Sequence, residues 1–305
     1  MTRRSFSTLS TASLATSTFA ATPHSPIRLG GPIFLKSSDP RELAREHRRL
    51  GYSAAYCPPA EVEDTARIKA IVEAYASEKV TIAEVGAWKN MLDPDPAARV
   101  ANLAYVQRRL ALADAVGAAC CVDIAGSFHP TVWYAPHPKN VSREFFDATV
   151  ENCRKVIDAV KPTRTSFTIE MMGWNLPDSA DSYLELMKAV DRKAFAVHVD
   201  VCNIINSPRR FYDNAAVTRD VFAKLGRWVK SVHAKDLAFV PEMNVHFVEV
   251  IPGRGQFDYK AQLAALATLP QAPPLMLEHL KGAAEYDEGR AYIQRVAAEA
   301  GHTFA

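Results

Sequence analysis

Residues 195–205, FAVHVDVCNII, decide how the chain is read. In an extended strand, side chains alternate between two faces. His198, Asp200 and Cys202 then share one face, while Val197, Val199 and Val201 share the other. The valines ask for burial beneath helices, and the polar set points the opposite way, toward the inside of a barrel or the edge of a sheet. Three further strand-like runs repeat the pattern. TSFTIEMMGW (165–174) ends on the face of Thr168 and Glu170. VKSVHAKDLA (229–238) puts Ser231, His233 and Lys235 together. PLMLEHL (274–280) does the same for Met276 and Glu278. Glu170, Asp200, His233 and Glu278 are therefore in phase near the ends of successive runs. Three carboxylates and one imidazole suit a divalent cation that keeps open positions for oxygen ligands. Manganese, magnesium and cobalt fit this donor set, and zinc is also admitted. Without a cation, three clustered carboxylates would repel one another.

Outward from these runs the chain repeats one unit. Eight strand-like segments fall at 27–35, 53–58, 81–88, 119–128, 165–174, 195–205, 229–238 and 274–280. Amphipathic runs lie between them, at about 40–50, 61–78, 96–116, 142–160, 179–190, 214–226, 258–269 and 285–299. Asp39-Pro40 with Glu42 reads as a helix start: an aspartate cap, proline at the first helical position, and a glutamate answering the cap. Eight βα units predict a single α/β domain over 25–305, a closed (β/α)8 TIM barrel. An open doubly wound sheet is the alternative, but no GxGxxG follows the first strand. Long connections after the fourth, sixth and seventh strands (129–141, 206–213 and 239–257) belong on the face where such barrels place substrate contacts. The last is expected to contain a small hairpin within VHFVEVIPGRG.

The two glutamates have a second use. On the fifth and eighth strands they would lie on opposite sides of the pocket, and a carboxylate pair bracketing a bound sugar can remove a proton from one carbon and return it there or to its neighbour. A metal Lewis acid would stabilise the enediolate between those steps. No GxSxG elbow accompanies Ser127, so serine-based hydrolysis is not indicated.

Glu170, Asp200, His233 and Glu278 in that order, with HAKD at 233–236, PGRGQFDY at 252–259 and LEHL at 277–280, resemble the xylose isomerase-like barrel superfamily. This is the group of sugar phosphate isomerases/epimerases, with ketose 3-epimerases and inosose dehydratases among them. The resemblance runs from about residue 27 onward. It implies metal binding by Glu170, Asp200, His233 and Glu278, and acid/base catalysis by Glu170 and Glu278, in a metal-dependent sugar isomerase or epimerase. Two positions depart from the pattern. Asn203 stands where the epimerases often carry a histidine, and Asn cannot shuttle a proton near pH 7. Arg254 stands where an acidic residue is often written between the glycines. These departures keep a second outcome in view, a metal-dependent lyase or dehydratase acting on a keto-sugar or keto-glycoside.

Further residues are expected to contact substrate: Glu84, His129, Trp174, Asn203, Lys235 and Arg254. Lys235 and Arg254 would meet a hydroxyl, carboxylate or phosphate. His198, one layer below the ligands, reads as a core histidine that orients one of them. Trp88, Trp133 and Trp174 fall at or just past strand ends, and tryptophan faces stack on the apolar sides of sugar rings.

Composition sets the outer bounds. The 305 residues are 48% hydrophobic and 23% charged, with a net charge of +2, so no global basic character points to nucleic acid. A related DNA-repair endonuclease barrel would need more histidines than these loops carry. A non-catalytic sugar-binding protein would not need both glutamates. Five cysteines, an odd count without CxxC, read as buried thiols. No apolar run reaches the roughly 18 residues of a membrane span. A small carbohydrate is the expected partner, and a homo-oligomer is left open. The N-terminal 1–24, with Thr2-Arg3-Arg4-Ser5-Phe6 and no acidic residue before Asp39, resembles a twin-arginine export signal. It is set apart from the barrel and implies a periplasmic or secreted protein. Read instead as a tail, it leaves a cytoplasmic one.

Overall fold

The computed structural model describes residues 25–305, so the export-signal segment at 1–24 lies outside the described residues. Eight parallel strands close into a ring. They are β1 (Arg28–Gly30), β2 (Ala54–Tyr56), β3 (Thr81–Gly86), β4 (Cys120–Asp123), β5 (Ser166–Glu170), β6 (Phe195–Val199), β7 (Val229–Ala234) and, after a hairpin, β10 (Pro274–Leu277). The hairpin, β8 (Asp236–Phe239) and β9 (Phe247–Val250), is antiparallel and forms its own two-stranded sheet. Helices α1 (Pro40–Arg49), α2 (Thr65–Ser77), α3 (Pro96–Val116), α4 (Arg143–Val160) and α5 (Ala180–Val190) separate the first six strands. A short α6 (Pro208–Tyr212) precedes α7 (Asn214–Leu225), and α8 (Tyr259–Ala267) and α9 (Gly282–Glu299) complete the series. This is the expected (β/α)8 barrel. Among the described residues, no helix is long and apolar enough to cross a membrane.

Local chemistry explains the boundaries. The Asp39 side chain caps α1 by accepting the Arg41 N–H, and Pro40 opens the helix. The expected answer from Glu42 is not made: the Asp39 N–H goes to Ser37 Oγ, and Glu42 accepts the Ser37 hydroxyl instead. Asp95 and Pro96 start α3 in the same way, and Gly117 ends it in the left-handed conformation that favours glycine. The strands are shorter than the apolar runs that contain them. Past the ladder, residues such as 171–174 and 200–205 turn into loops or a 3-10 turn over the mouth.

The outward faces carry Phe167, Ile169, Val197, Val199, Leu275 and Leu277, all buried in one large core beneath the helices. The inward faces are small at the lower level: Ala54, Ala83 and Met276 pack together inside the ring. Gly30 belongs there because a Cβ would sit 2.5 Å from Met276 Sδ and 2.6 Å from the Ala54 carbonyl. Two bulges modify the alternation. Tyr56 pairs with Glu84 while Ala55 pairs with Ile82, so Ala83 is an extra residue in β3. His198 pairs with Ser231 while Val197 pairs with Val229, which makes Lys230 the extra residue in β7. Bulges re-aim the side chains that follow them, and here both lie directly below the polar end of the barrel.

Candidate active site

The four sequence-identified residues meet at the C-terminal mouth of the barrel. Glu170 closes β5, Asp200 follows β6, His233 lies in β7 and Glu278 follows β10. One donor atom from each lies within 4.8 Å of the others. His233 Nδ1 is 3.0 Å from Glu278 Oε1, 3.2 Å from Glu170 Oε1 and 3.6 Å from Asp200 Oδ2. All four are nearly withdrawn from solvent, Glu278 being the most open at 13%. Strands β5 and β10 stand three places apart in the eight-strand ring, with β6 and β7 between them. The two glutamates therefore flank Asp200 and His233 rather than facing each other across a diameter.

Positive charge inside the cluster comes from His233 and Lys235. The Lys235 ammonium lies 2.6 Å from Glu278 Oε1 and 2.9 Å from Asp200 Oδ2. It also donates to Asn203 Oδ1 at 3.2 Å. Burial works against charge on all of these groups, yet the mutual attraction wins. Glu278 is held at about 2, although burial pushes it upward, because His233 and Lys235 favour its carboxylate. Asp200 is likewise lowered against burial, chiefly by Lys235 and His233. His233 and Lys235 are pushed well above their ordinary values against the same burial, by the carboxylates around them.

The donor set fits a divalent cation. Its atoms are close enough to share one ion, and they are of the hard oxygen-plus-imidazole type. Asp200 Oδ2 and Glu278 Oε1 are buried yet accept no well-aligned hydrogen bond, Lys235 being near both as a counter-charge only. Buried carboxylate oxygens in a native protein are normally satisfied, so these two mark a place where a ligand is wanted.

The remaining candidates fall into two groups. Asn203 and Lys235 join the cluster. Asn203 Nδ2 donates to Glu170 Oε1 at 2.8 Å and to the Met171 carbonyl at 3.0 Å, and its N–H donates to Asp200 Oδ1 at 3.1 Å. Trp174 follows β5 and is 65% exposed, and Trp88 after β3 is 37% exposed, as stacking surfaces for a sugar would be. Trp133 packs edge-on against the exposed Tyr134 in the loop after β4.

Three of the expected substrate contacts have partners within the protein. Glu84 does not reach the mouth as a substrate contact. It is 1% exposed and lies beneath His233, where its carboxylate is bonded to His198, Ser231 and His233. His129 serves its own loop: Nδ1 accepts the Thr131 and Val132 N–H groups. Arg254 lines the small hollow beside Lys235, Glu249 and Glu278, but its guanidinium is forked onto Glu288 at 2.6 and 2.8 Å. The glycine-flanked loop around Arg254 is not an anion cradle. Asp236 already accepts the N–H groups of Gly253, Gly255 and Phe257 at 2.8, 3.1 and 2.9 Å, together with that of Leu237.

The hollow at the mouth measures about 210 Å³. A larger one of about 920 Å³ lies between α5 and α7, lined by Lys188, Arg192, Lys193 and Trp228 among others. It contains none of the converging carboxylates, so size alone does not mark the site.

Residues 44–296 match the sequence model of the xylose isomerase-like TIM barrel family. Solved structures share the architecture. A xylose isomerase-like TIM barrel protein from Mycobacterium smegmatis, determined in complex with magnesium, is 18% identical with a TM-score of 0.61, over 90% of this chain and 97% of that one. D-psicose 3-epimerase, determined in the presence of D-fructose, is 15% identical with a TM-score of 0.63, over 90% and 99%. Endonuclease IV from Thermus thermophilus is 15% identical with a TM-score of 0.66, over 89% and 99%. At these identities the likeness establishes the fold alone. Among curated proteins, none matches the sequence.

Proposed function

The chain belongs to the xylose isomerase-like TIM barrel family, and from that premise we propose that it is a divalent-metal-dependent isomerase or epimerase of a small sugar or sugar derivative. The observation that carries this reading is the convergence of Glu170, Asp200, His233 and Glu278 on one point, with a glutamate at each flank. These four residues would hold the metal. When bound, it would supply a Lewis acid that steadies negative charge on adjacent substrate oxygens. Manganese, magnesium or cobalt suits the set.

The chain's own residues do the proton work. One of Glu170 and Glu278 takes the proton from the carbon beside the carbonyl, leaving an enediolate. The other, or the same one, returns it to that carbon or its neighbour. Asn203 fixes Glu170 by donating to Oε1, and the Lys235 ammonium beside Glu278 keeps that group ionised. Trp174 and Trp88 offer apolar faces to the sugar while their loops border the mouth. An uncharged carbohydrate is the substrate best matched, since Arg254 and the glycine loop are already engaged.

The test is exchange in D₂O. Metal-loaded protein with a panel of ketoses and keto-glycosides is expected to introduce deuterium at a carbon next to the carbonyl of one of them. Absence of deuterium across the panel, with metal demonstrably bound, would contradict the proposal. A lyase or dehydratase is the second reading, favoured by two observations: Asn203 cannot relay a proton where it stands, and a buried ammonium, Lys235, lies beside the cluster and can assist a departing group. Elimination lowers the product mass and epimerisation does not, so the same reaction mixtures separate the two.

A further inference from the structure

Beneath the four-residue cluster lies a second buried polar group that the sugar chemistry does not use. Glu84, in β3, sends both carboxylate oxygens across the barrel interior. Oε1 accepts the Ser231 hydroxyl and lies 3.0 Å from His198 Nε2. Oε2 lies 3.3 Å from His233 Nε2. His198 and Ser231 are wholly buried, Glu84 is 1% exposed, and the two imidazoles meet edge to face with centroids 4.2 Å apart. The β3 bulge brings this about. Ala83 is the unpaired residue, and it packs inward against Ala54 and Met276. The next residue, Glu84, turns inward as well, although strict alternation would send it outward under the helices.

The two nitrogens of His233 thus face different partners. Nδ1 faces Glu170, Asp200 and Glu278, while Nε2 faces Glu84. Only an N–H at Nε2 makes a hydrogen bond with the Glu84 carboxylate. Ser231 can donate a second hydrogen bond to it and His198 a third, so the Glu84 carboxylate accepts from three donors. From this geometry we infer that Glu84 is a positioning residue for the metal: it fixes His233 as the tautomer with hydrogen on Nε2, and so makes Nδ1 the ligating nitrogen. Hydrogen bonding of this kind orients a ligating imidazole and raises its basicity, and its loss typically costs 10–100-fold in metal affinity. Ser231 and His198 act one step further out, holding Glu84 in place. The Nδ1 of His198 has no partner, as expected if that ring's only proton sits on Nε2 and is given to Glu84.

This inference rests on the metal reading and deepens it, and a binding experiment on substrate-free protein separates the two. The full chain is stripped with chelator and titrated with MnCl₂ by calorimetry as wild type, Glu84→Gln and Ser231→Ala. Wild type is expected to bind one manganese. Glu84→Gln should bind it 10–100-fold more weakly, and Ser231→Ala more weakly by a smaller factor, since it acts on His233 only through Glu84. Histidine-selective ¹⁵N NMR of the wild type with Mg²⁺ should show His233 protonated at Nε2 and bound through Nδ1. A purely structural Glu84 would lower the melting temperature of the metal-free Glu84→Gln protein and leave the affinity of its folded fraction unchanged. Manganese affinity within twofold of wild type in folded Glu84→Gln, or His233 bound through Nε2, overturns the inference and leaves the metal reading standing. Failure of the wild type to bind manganese overturns the metal reading itself and the inference with it. Should Glu84→Gln not fold, Ser231→Ala and the NMR assignment decide the matter.

Discussion

Asp200 and Asp236 are both buried carboxylates beside Lys235, and they are opposite in kind. Asp236 begins β8 and receives four backbone N–H groups, three of them from the loop 253–257. The loop is shaped to it: a Cβ at Gly255 would lie 2.2 Å from Asp236 Oδ1. Asp200 has one oxygen answered by the Asn203 N–H, while the other accepts no aligned donor and faces Lys235, His233 and two glutamates. A carboxylate whose oxygens are met by backbone donors holds a loop together. One that is left with charged neighbours and an unanswered oxygen is free to take a ligand, as the proposed metal site requires. Within the motif HAKD, Lys235 faces the cluster with Asp200 and Glu278 while the adjacent Asp236 holds the loop, so neighbours in sequence serve different ends.

The largest expected effect lies on the functional side. Glu170→Gln and Glu278→Gln should each lower deuterium exchange by about 10²–10⁴-fold, the usual contribution of a positioned acid or base. Circular dichroism should show the fold retained, although loss of the carboxylate beside His233 and Lys235 should lower the metal-free melting temperature of Glu278→Gln. If either variant keeps near-wild-type exchange, that glutamate is not part of the proton machinery.

On the structural side, Asp236→Ala should cost about 2–3 kcal/mol of stability, because it leaves buried N–H groups unanswered. Urea unfolding measures this, and the manganese affinity of the folded protein should change little. A large loss of affinity with no loss of stability would erase the distinction between the two aspartates.

Acid separates the two classes next. Burial pushes Glu278 up, but His233 and Lys235 override it and hold it at about 2, below the ordinary 4.5. Its contribution to metal-free stability is therefore full above about 4.5 and lost as pH falls toward 2. Asp236 has the opposite sign. Burial raises it above 3.8, the four backbone donors opposing that in part, so protonation relieves a cost. Urea melts between pH 5 and 2 should show less acid destabilisation in Glu278→Gln than in wild type, and Asp236→Asn should not reproduce that gain.

The smallest effect is expected at Arg254. Its fork onto Glu288 is exposed on both sides, and solvent-screened pairs of this kind contribute little. Arg254→Ala should leave the melting temperature and the turnover of an uncharged sugar nearly unchanged. A large rise in KM would return Arg254 to the substrate site.

Most of the barrel was legible because each strand's apolar face and each helix cap are local features. Asp39-Pro40 with the amphipathic run behind it marks a helix start locally, and the valine alternation of 195–201 requires a buried strand. The four-residue cluster was legible for the same reason: phase along each strand is local, and four ligand-type residues in phase at strand ends imply a common mouth. Glu84 was legible as an inward-facing residue, but its depth was not: His198, Ser231 and His233, from strands distant in sequence, hold it beneath the mouth. Arg254 and the glycine loop escaped because their donors were already committed, to Glu288 and Asp236, through contacts between distant parts of the chain. Partner identity over long separations is what alternation and motif cannot supply.

The most direct measurement of the central claim is calorimetric titration of chelator-stripped protein with manganese, in wild type and in Asp200→Asn. A single saturable site is expected in wild type, with a melting temperature that rises on loading. At a hundredfold excess over Kd the added stability is about 2.7 kcal/mol. Asp200→Asn should lose most of that affinity and most of the rise. No saturable binding in wild type, or equal binding in Asp200→Asn, would contradict the account.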